Sequence, residues 1–380
     1  MQEGNTRMKN SKVALRDVAA RAGVSVSAVS MILSSRKGVT FNEETVRRVR
    51  KAAAELGYRR PAGTGLSDRP TIAVFLTIVT GSYYTFIAQS ITQKANEAGY
   101  DTFILETHHN AERELRLMHM VRRMNIAGIL YTAAPINRDE AARIAAVIPT
   151  VIIQSAPGTA NIDAVTNDTF RVGRLAAEHM LSLGHRYVAY IGIDRTHQQM
   201  PGSVCLQGVK SRFSEANDAH LSVYTAPGPD TLVPGSFHET RSLAAELTKK
   251  ALLDTQITGF ICVSDYAAYG VMDTLSEAGM RIPEDYSVCG CNNLFSSSLT
   301  GVSLTSVDRH PIDLGSAAFE LLHNRMQDAG SGPATITNIE YLSRLIIRGS
   351  TGKPRDTAPD KAGKKLPLSP QPSITEEKMP

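Results

Sequence analysis

The sequence predicts a two-part α/β protein: a small head of three helices, the first two forming a helix-turn-helix, and a bilobal body of two parallel βα sheets. Three observations carry this. Residues 13 to 57 keep a helical period interrupted at one glycine, Gly23. From Thr71 the texture changes to β-branched apolar runs that alternate with amphipathic stretches. Charge divides at the same place: residues 1–70 hold 14 Lys and Arg against 6 Asp and Glu, and the remainder 27 against 31. A basic head on a mildly acidic body suits a polyanion-binding module joined to something else. Solubility alone is the other reading of that surplus.

In the head, Leu15, Val18 and Ala19 form one apolar stripe. Gly23 allows a turn conformation that a side chain resists, and Ser25 is a good N-cap for the next helix. There Val29, Ile32 and Leu33 share an inward face, leaving Val26, Ser27, Ser30 and Met31 outward. A third helix begins after Asn42, turns Val46, Val49, Ala53 and Leu56 inward, and exposes Arg47, Arg48, Arg50 and Lys51. Three short helices with a tight first turn describe a helix-turn-helix, a DNA-binding motif, with a plain small helical bundle as the other reading. Residues 1–12 read as a disordered N-terminus, 13–58 as the head, and the Gly- and Pro-rich 59–70 as a linker.

The body, 71–348, opens with TIAVFLTIV, a run without polar alternation, as for a strand buried on both faces. FIAQSITQKANEAGY reads as a helix and DTFILE as the next strand. The alternation continues through AGILYTA, TVIIQS, YVAYIGI, LSVYTA, GFICVS and SVCGC, each strand separated from the next by a helical stretch. So many βα units exceed one comfortable sheet, so two lobes are expected, with a cleft at the carboxyl ends of their strands. Residues 349–380, rich in Pro and Lys, read as a disordered tail.

No apolar run approaches the roughly 18 residues of a membrane span, and the polar start MQEGNTRMKNSK lacks a signal core. A cytoplasmic protein is expected. Cys205, Cys262, Cys289 and Cys291 lack zinc spacing and are expected as free thiols. His108 and His109 have no third ligand nearby in sequence, and His185 is expected to orient a turn. Nucleophile-elbow, phosphate-loop and dinucleotide fingerprints are absent. Neither metal, cofactor nor enzyme activity is expected.

LRDVAARAGVSVSAVSMIL together with ETVRRVRKAAAELGYR resembles the head of the LacI/GalR (lactose and purine repressor) family. The body's LGHRYVAYIG, FICVSDYAAYGVMDTLSEAGMRIPEDYSVCGCNN and SLTSVDRHPIDLG resemble the same family, whose body is periplasmic-binding-protein-like. The resemblance implies a homodimeric, sequence-specific transcriptional regulator, a repressor of operator DNA controlled by a small-molecule effector in the cleft. A solute-binding receptor of the same bilobal fold, without specific DNA recognition, is the alternative.

Carried over by position, Arg16, Ser25, Val26, Ser27, Ser30, Met31, Lys37, Tyr58, Arg59, Arg60 and Leu66 would contact DNA. Tyr83, Tyr84, Gln154, Asn167, Asp168, Cys205, Asp265 and Asn292 would contact the effector. Asp265 capping its helix without touching ligand stays open.

The departures are specific. Ala14 stands where the family has a capping threonine. Met31 stands where it commonly has arginine, replacing a bidentate guanine grip with an apolar contact, or packing under the third helix. The stretch after Tyr58 contains Gly63 and Gly65, so Leu66 is either a minor-groove wedge or part of a plain tether. Cys205 and Asn292 replace an arginine and an aspartate, implying a less ionic cleft. Cys205, Cys289 and Cys291 align near the cleft, as a thiol switch or as small buried hydrophobes.

Overall fold

The computed structural model describes residues 13–33, 41–56, 58, 69–78, 82–153, 161–194, 201–227, 237–327, 335–356 and 375–378. The chain divides into two compact units, Met1–Asp68 and Arg69–Pro380.

The first unit holds α1 (Leu15–Ala22), α2 (Val26–Leu33) and α3 (Glu43–Glu55). Gly23 ends α1 in the left-handed region, φ 68°, a conformation glycine adopts without a Cβ clash. Ser25 Oγ accepts the Ala28 N–H at 3.1 Å and starts α2. Asn42 Oδ1 accepts the Glu44 N–H at 2.9 Å and starts α3. Ala14 cannot accept a cap bond, but its own N–H donates to Asp17 Oδ2 at 2.7 Å, so the reciprocal half of a capping box survives. Val18, Ala19, Val29, Ile32, Val49 and Ala53 form the head's core, and Arg21 on α1 pairs with Glu55 on α3 at 3.0 Å.

The first lobe of the body contains β1 (Thr71–Leu76), α4 (Ser82–Glu97), β2 (Asp101–Glu106), α5 (Ala111–Val121), β3 (Ile126–Tyr131), α6 (Arg138–Ala145), β4 (Thr150–Ile153) and β5 (Asp163–Asn167). The chain then builds the second lobe from α7 (Thr169–Ser182), β6 (Tyr187–Asp194), α8 (Pro201–Ser214), β7 (His220–Pro227), α9 (Phe237–Ala251), β8 (Gly259–Cys262), α10 (Asp265–Glu277), β9 (Ser287–Asn292) and β10 (Thr305–Asp308). It returns to the first lobe for α11 (Pro311–Gln327) and β11 (Asn338–Tyr341), then crosses again for β12 (Arg344–Ile346). β13 (Thr375–Lys378) pairs with β7. The sheet orders are β11-β5-β4-β3-β1-β2 and β12-β10-β9-β8-β6-β7-β13.

β1 shows why its sequence does not alternate. Ile72 and Val74 pack toward α4 and α11, whereas Ala73 and Phe75 pack toward α5 and α6. Both faces are covered, so every position from Ile72 to Leu76 is apolar. The second lobe repeats the design: Cys289 and Cys291, two residues apart on β9, face the layer of α7 and α8, while Val288 faces that of α9 and α10.

Four expectations are corrected. The sheets are not wholly parallel, because β12 runs antiparallel to β10 and β13 antiparallel to β7. The linker ends earlier than residue 70: Arg69 donates to Asn96 Oδ1 at 3.0 Å and to its carbonyl at 2.8 Å, and the Pro70 carbonyl accepts the Asp101 N–H at 2.9 Å. The start of the expected tail is held in the second lobe, where Ser350 Oγ donates to the Val288 carbonyl at 2.6 Å and Arg355 donates to the Ile257 carbonyl at 2.8 Å. Residues 375–378 form a strand rather than a disordered segment, because their backbone pairs with β7.

Candidate functional site

Two surfaces concern function, one in each unit. On the head, Ser25, Val26 and Ser27 are exposed and Ser30 and Met31 half-buried, so α2 presents its outward row as its period predicts. Ser25 Oγ and Ser27 Oγ lie 3.0 Å apart. Arg16 is exposed, 3.8 Å from Asp17, and Arg47, Arg48, Arg50 and Lys51 are exposed along α3. Tyr58 turns inward instead: it packs on the head's core, and its hydroxyl is buried without a partner among the described residues. Lys37, Arg59, Arg60, Leu66 and, in the body, Gln154 lie outside the described residues.

In the body, the chain crosses between lobes just after Asn167 and just after Asp308, at the carboxyl ends of β5 and β10. These crossings set the geometry of the junction. Asn167 Nδ2 donates to the Arg309 carbonyl at 2.8 Å and to Tyr83 Oη at 3.2 Å. The Arg309 guanidinium returns one bond to Asn167 Oδ1 and one to Thr169 Oγ1, both 3.2 Å. It lies over the Tyr83 ring, 4.9 Å from its centre, and its Nη1 reaches Asn292 Oδ1 at 3.5 Å. Tyr84 meets Tyr83 edge to face at 5.6 Å. Asn292 itself has φ 123° and Asn293 φ 51°, backbone conformations that concentrate at ligand-binding and switching sites. Tyr83, Asn167 and Asn292 are thus brought together. Arg309 was missed, although it lies inside SLTSVDRHPIDLG; an arginine one residue past a strand end was the available signal.

Three expected effector contacts are corrected or narrowed. Asp265 is fully buried. Its Oδ2 accepts from the Leu294 N–H at 2.7 Å and Ser297 Oγ at 2.6 Å, and its Oδ1 from Ser306 Oγ at 2.5 Å. The carboxylate therefore ties the start of α10 to the loop after β9 and to β10, with both of its oxygens engaged inside the lobe. Nor does it cap its own helix, since Ser264 Oγ accepts the Ala267 N–H at 3.3 Å. Burial raises its pKa, against the pull of those three bonds. Cys205 is buried in the core between α7 and α8, where Gly173 and Gly208 let the two helix backbones touch. Asp168 is half-buried and caps α7 through the Arg171 N–H at 2.9 Å.

All four cysteines are buried free thiols. Burial raises the pKa of Cys289, whereas the bond to Cys291 lowers that of Cys205; with Cys205, Cys289 and Cys291 all buried, a thiol switch lacks the accessible thiol it needs. His185 holds three strands' ends together: Nδ1 meets Thr258 Oγ1 at 2.7 Å, and Nε2 meets Ser287 Oγ and the Gly352 carbonyl, each at 3.0 Å. It orients a turn, as expected. Among the described residues, no group of three His, Cys, Asp or Glu is placed to hold a metal ion, and no helix is long and apolar enough to cross a membrane.

Residues 14–61 match the family described as bacterial regulatory proteins, lacI family. Residues 69–207 match periplasmic binding proteins and sugar binding domain of LacI family, and 177–351 a periplasmic binding protein-like domain. The HTH-type transcriptional repressor PurR of Mannheimia succiniciproducens is 26% identical over 344 residues, covering 89% of this chain and 98% of that protein. Two solved structures share the fold. A LacI-family regulator from Silicibacter pomeroyi superposes with TM-score 0.65 at 21% identity, over 90% of this chain and 100% of that one. A lac repressor dimer bound to operator and an anti-inducer gives TM-score 0.62 at 20% identity, also over 90% and 100%. Head and body match in sequence and in order, and the chain belongs to the LacI family of bacterial regulatory proteins.

Proposed function

We propose that this chain is a cytoplasmic, dimeric repressor that reads a roughly palindromic operator with α2 and is switched by a small molecule held between the lobes of its body. The observation that carries the reading is the junction of two machines in one chain. A capped, glycine-turned α2 shows a row of small side chains, and a bilobal body ties its two lobes together through Arg309 and Asn167. The relative from Mannheimia succiniciproducens is named a transcriptional repressor, and the lac repressor of the solved complex is a dimer on its operator. Both support the assignment here.

In this reading Ser25 and the amides near it hold phosphate, while Val26, Ser27, Ser30 and Met31 face base edges and Arg16 the backbone. Two heads enter successive major grooves about one helical turn apart. Tyr83, Tyr84, Asn167, Asp168 and Asn292 face the effector, joined by Arg309. A ligand with unequal affinity for the open and closed lobes shifts their balance, and with it the affinity for operator. A solute receptor has no use for the basic head.

Genome-wide mapping of DNA bound by the full chain tests this. A recurring two-fold symmetric motif upstream of genes is expected, with affinity falling steeply as salt rises. Indiscriminate binding contradicts it.

A further inference from the structure

Resting on the effector reading above, we infer that the small molecule held at the lobe junction is an anion, a carboxylate or a phosphate ester seated against Arg309. Arg309 is only 8% exposed, yet every polar group the described residues offer its guanidinium is neutral. These are Asn167 Oδ1 and Thr169 Oγ1 at 3.2 Å and Asn292 Oδ1 at the long distance of 3.5 Å. The Tyr83 face completes the shell at 4.9 Å. Its Nε–H is buried with no acceptor among the described residues.

The acid beside it in sequence is engaged elsewhere. Asp308 Oδ1 accepts the His310 N–H at 2.9 Å, and its Oδ2 lies 3.6 Å from Arg344. A buried cation without a counter-charge is costly, and it persists where something else supplies that charge. Nη1, held only by the long bond to Asn292, is left for an incoming group, and a guanidinium suits carboxylate and phosphate oxygens. The site stands at the ends of β5, β9 and β10, where parallel sheets bind ligands.

The cleft's departures from the family also change meaning. Losing an arginine at Cys205 and an aspartate at Asn292 points to a less ionic cleft only while Arg309 is ignored. With Arg309 in place, asparagine at 292 leaves a cation unneutralised. An aspartate there would stand against Nη1 and fill the role assigned to the ligand.

The test uses the full-length protein at constant ionic strength. Thermal unfolding is followed with inorganic phosphate and with acetate as minimal probes, then with glucose, glucose 6-phosphate and glucuronate. Wild type, Arg309→Gln and Asn292→Asp are compared. The expected result is stabilisation of the wild type by the phosphate series or the carboxylate series, whichever matches the effector's charged group. The apparent affinity should fall about tenfold or more in both variants. Asn292→Asp should melt above the wild type in plain buffer.

A wild type indifferent to both anion series overturns the proposal. So does equal binding of glucose and its charged forms, or an Arg309→Gln variant that responds like the wild type. If an anion binds at Arg309 but leaves operator affinity unchanged, the regulatory reading fails and the anion site stands. If an uncharged ligand alone releases DNA, the reverse holds.

Discussion

Asp265 and Arg309 are both buried charged side chains in loops or helix starts at strand ends of the body, and they are opposites. Asp265 accepts three hydrogen bonds from Leu294, Ser297 and Ser306 and has nothing left to offer. Among the described residues Arg309 meets only neutral oxygens, and one buried N–H finds no acceptor. The difference teaches how to separate a structural charge from a binding one. Burial is the same for both; satisfaction is what differs. Asp265 is a clamp that completes its own lobe, and Arg309 is the group proposed to bind between lobes.

The sharpest way to break the comparison is Asp265→Ala. Three donors lose a charged acceptor at about 1 to 3 kcal/mol each, so the loss of stability should be at least about 3 kcal/mol. Denaturant unfolding checks this; a variant of ordinary stability would show that Asp265 is no clamp.

Next in size is an acid effect from His185, a second satisfied buried group. Burial pushes its pKa down to about 4 from 6.5, so the folded protein holds it neutral. On acidification the unfolded chain takes up the proton first. The stability from this group is complete above pH 6.5 and is lost as pH falls toward 4, by about 3 kcal/mol in all. Burial lowers His179 in the same sense. Unfolding midpoints of His185→Gln should therefore show a shallower pH slope in that window than the wild type; parallel slopes would contradict the assignment.

The smallest effect concerns the head, where nothing comparable is buried. Met31→Arg should add guanine preference at one symmetric operator position, by about 1 to 3 kcal/mol of discrimination. Selection of bound sequences from random DNA reads this directly. An unchanged motif would place Met31 among the packing residues of α3 rather than the reading face.

Much of this architecture was legible in the sequence, for physical reasons that also mark where legibility stopped. The head could be read because Gly23 and Ser25 act locally, through φ and a cap bond. TIAVFLTIV could be read because burial on both faces favours an unbroken apolar run, Ile72 to Leu76, over alternation. DAVTN and TSVD, the strands β5 and β10, could not: they are short and polar, and only their neighbours in the sheet make them strands. α11 was equally hidden, since it follows a strand of one lobe and packs in the other.

The site divided the same way. Tyr83, Asn167 and Asn292 meet as expected. Asp265 and Cys205 were misplaced because position along a strand or helix does not tell which layer a side chain enters. Arg309 was overlooked because its importance lies in what its neighbours fail to supply, which only the folded chain displays.

Control of the DNA reader from Arg309 can be read in the affinity of the full-length protein for a labelled duplex of its mapped genomic site. Affinity is measured with and without the anion that stabilises the wild type, at fixed ionic strength, in wild type and Arg309→Gln. The account predicts that the anion changes wild-type affinity about tenfold, within the ordinary range of allosteric coupling, and leaves Arg309→Gln unmoved. An equal change in both proteins would contradict it.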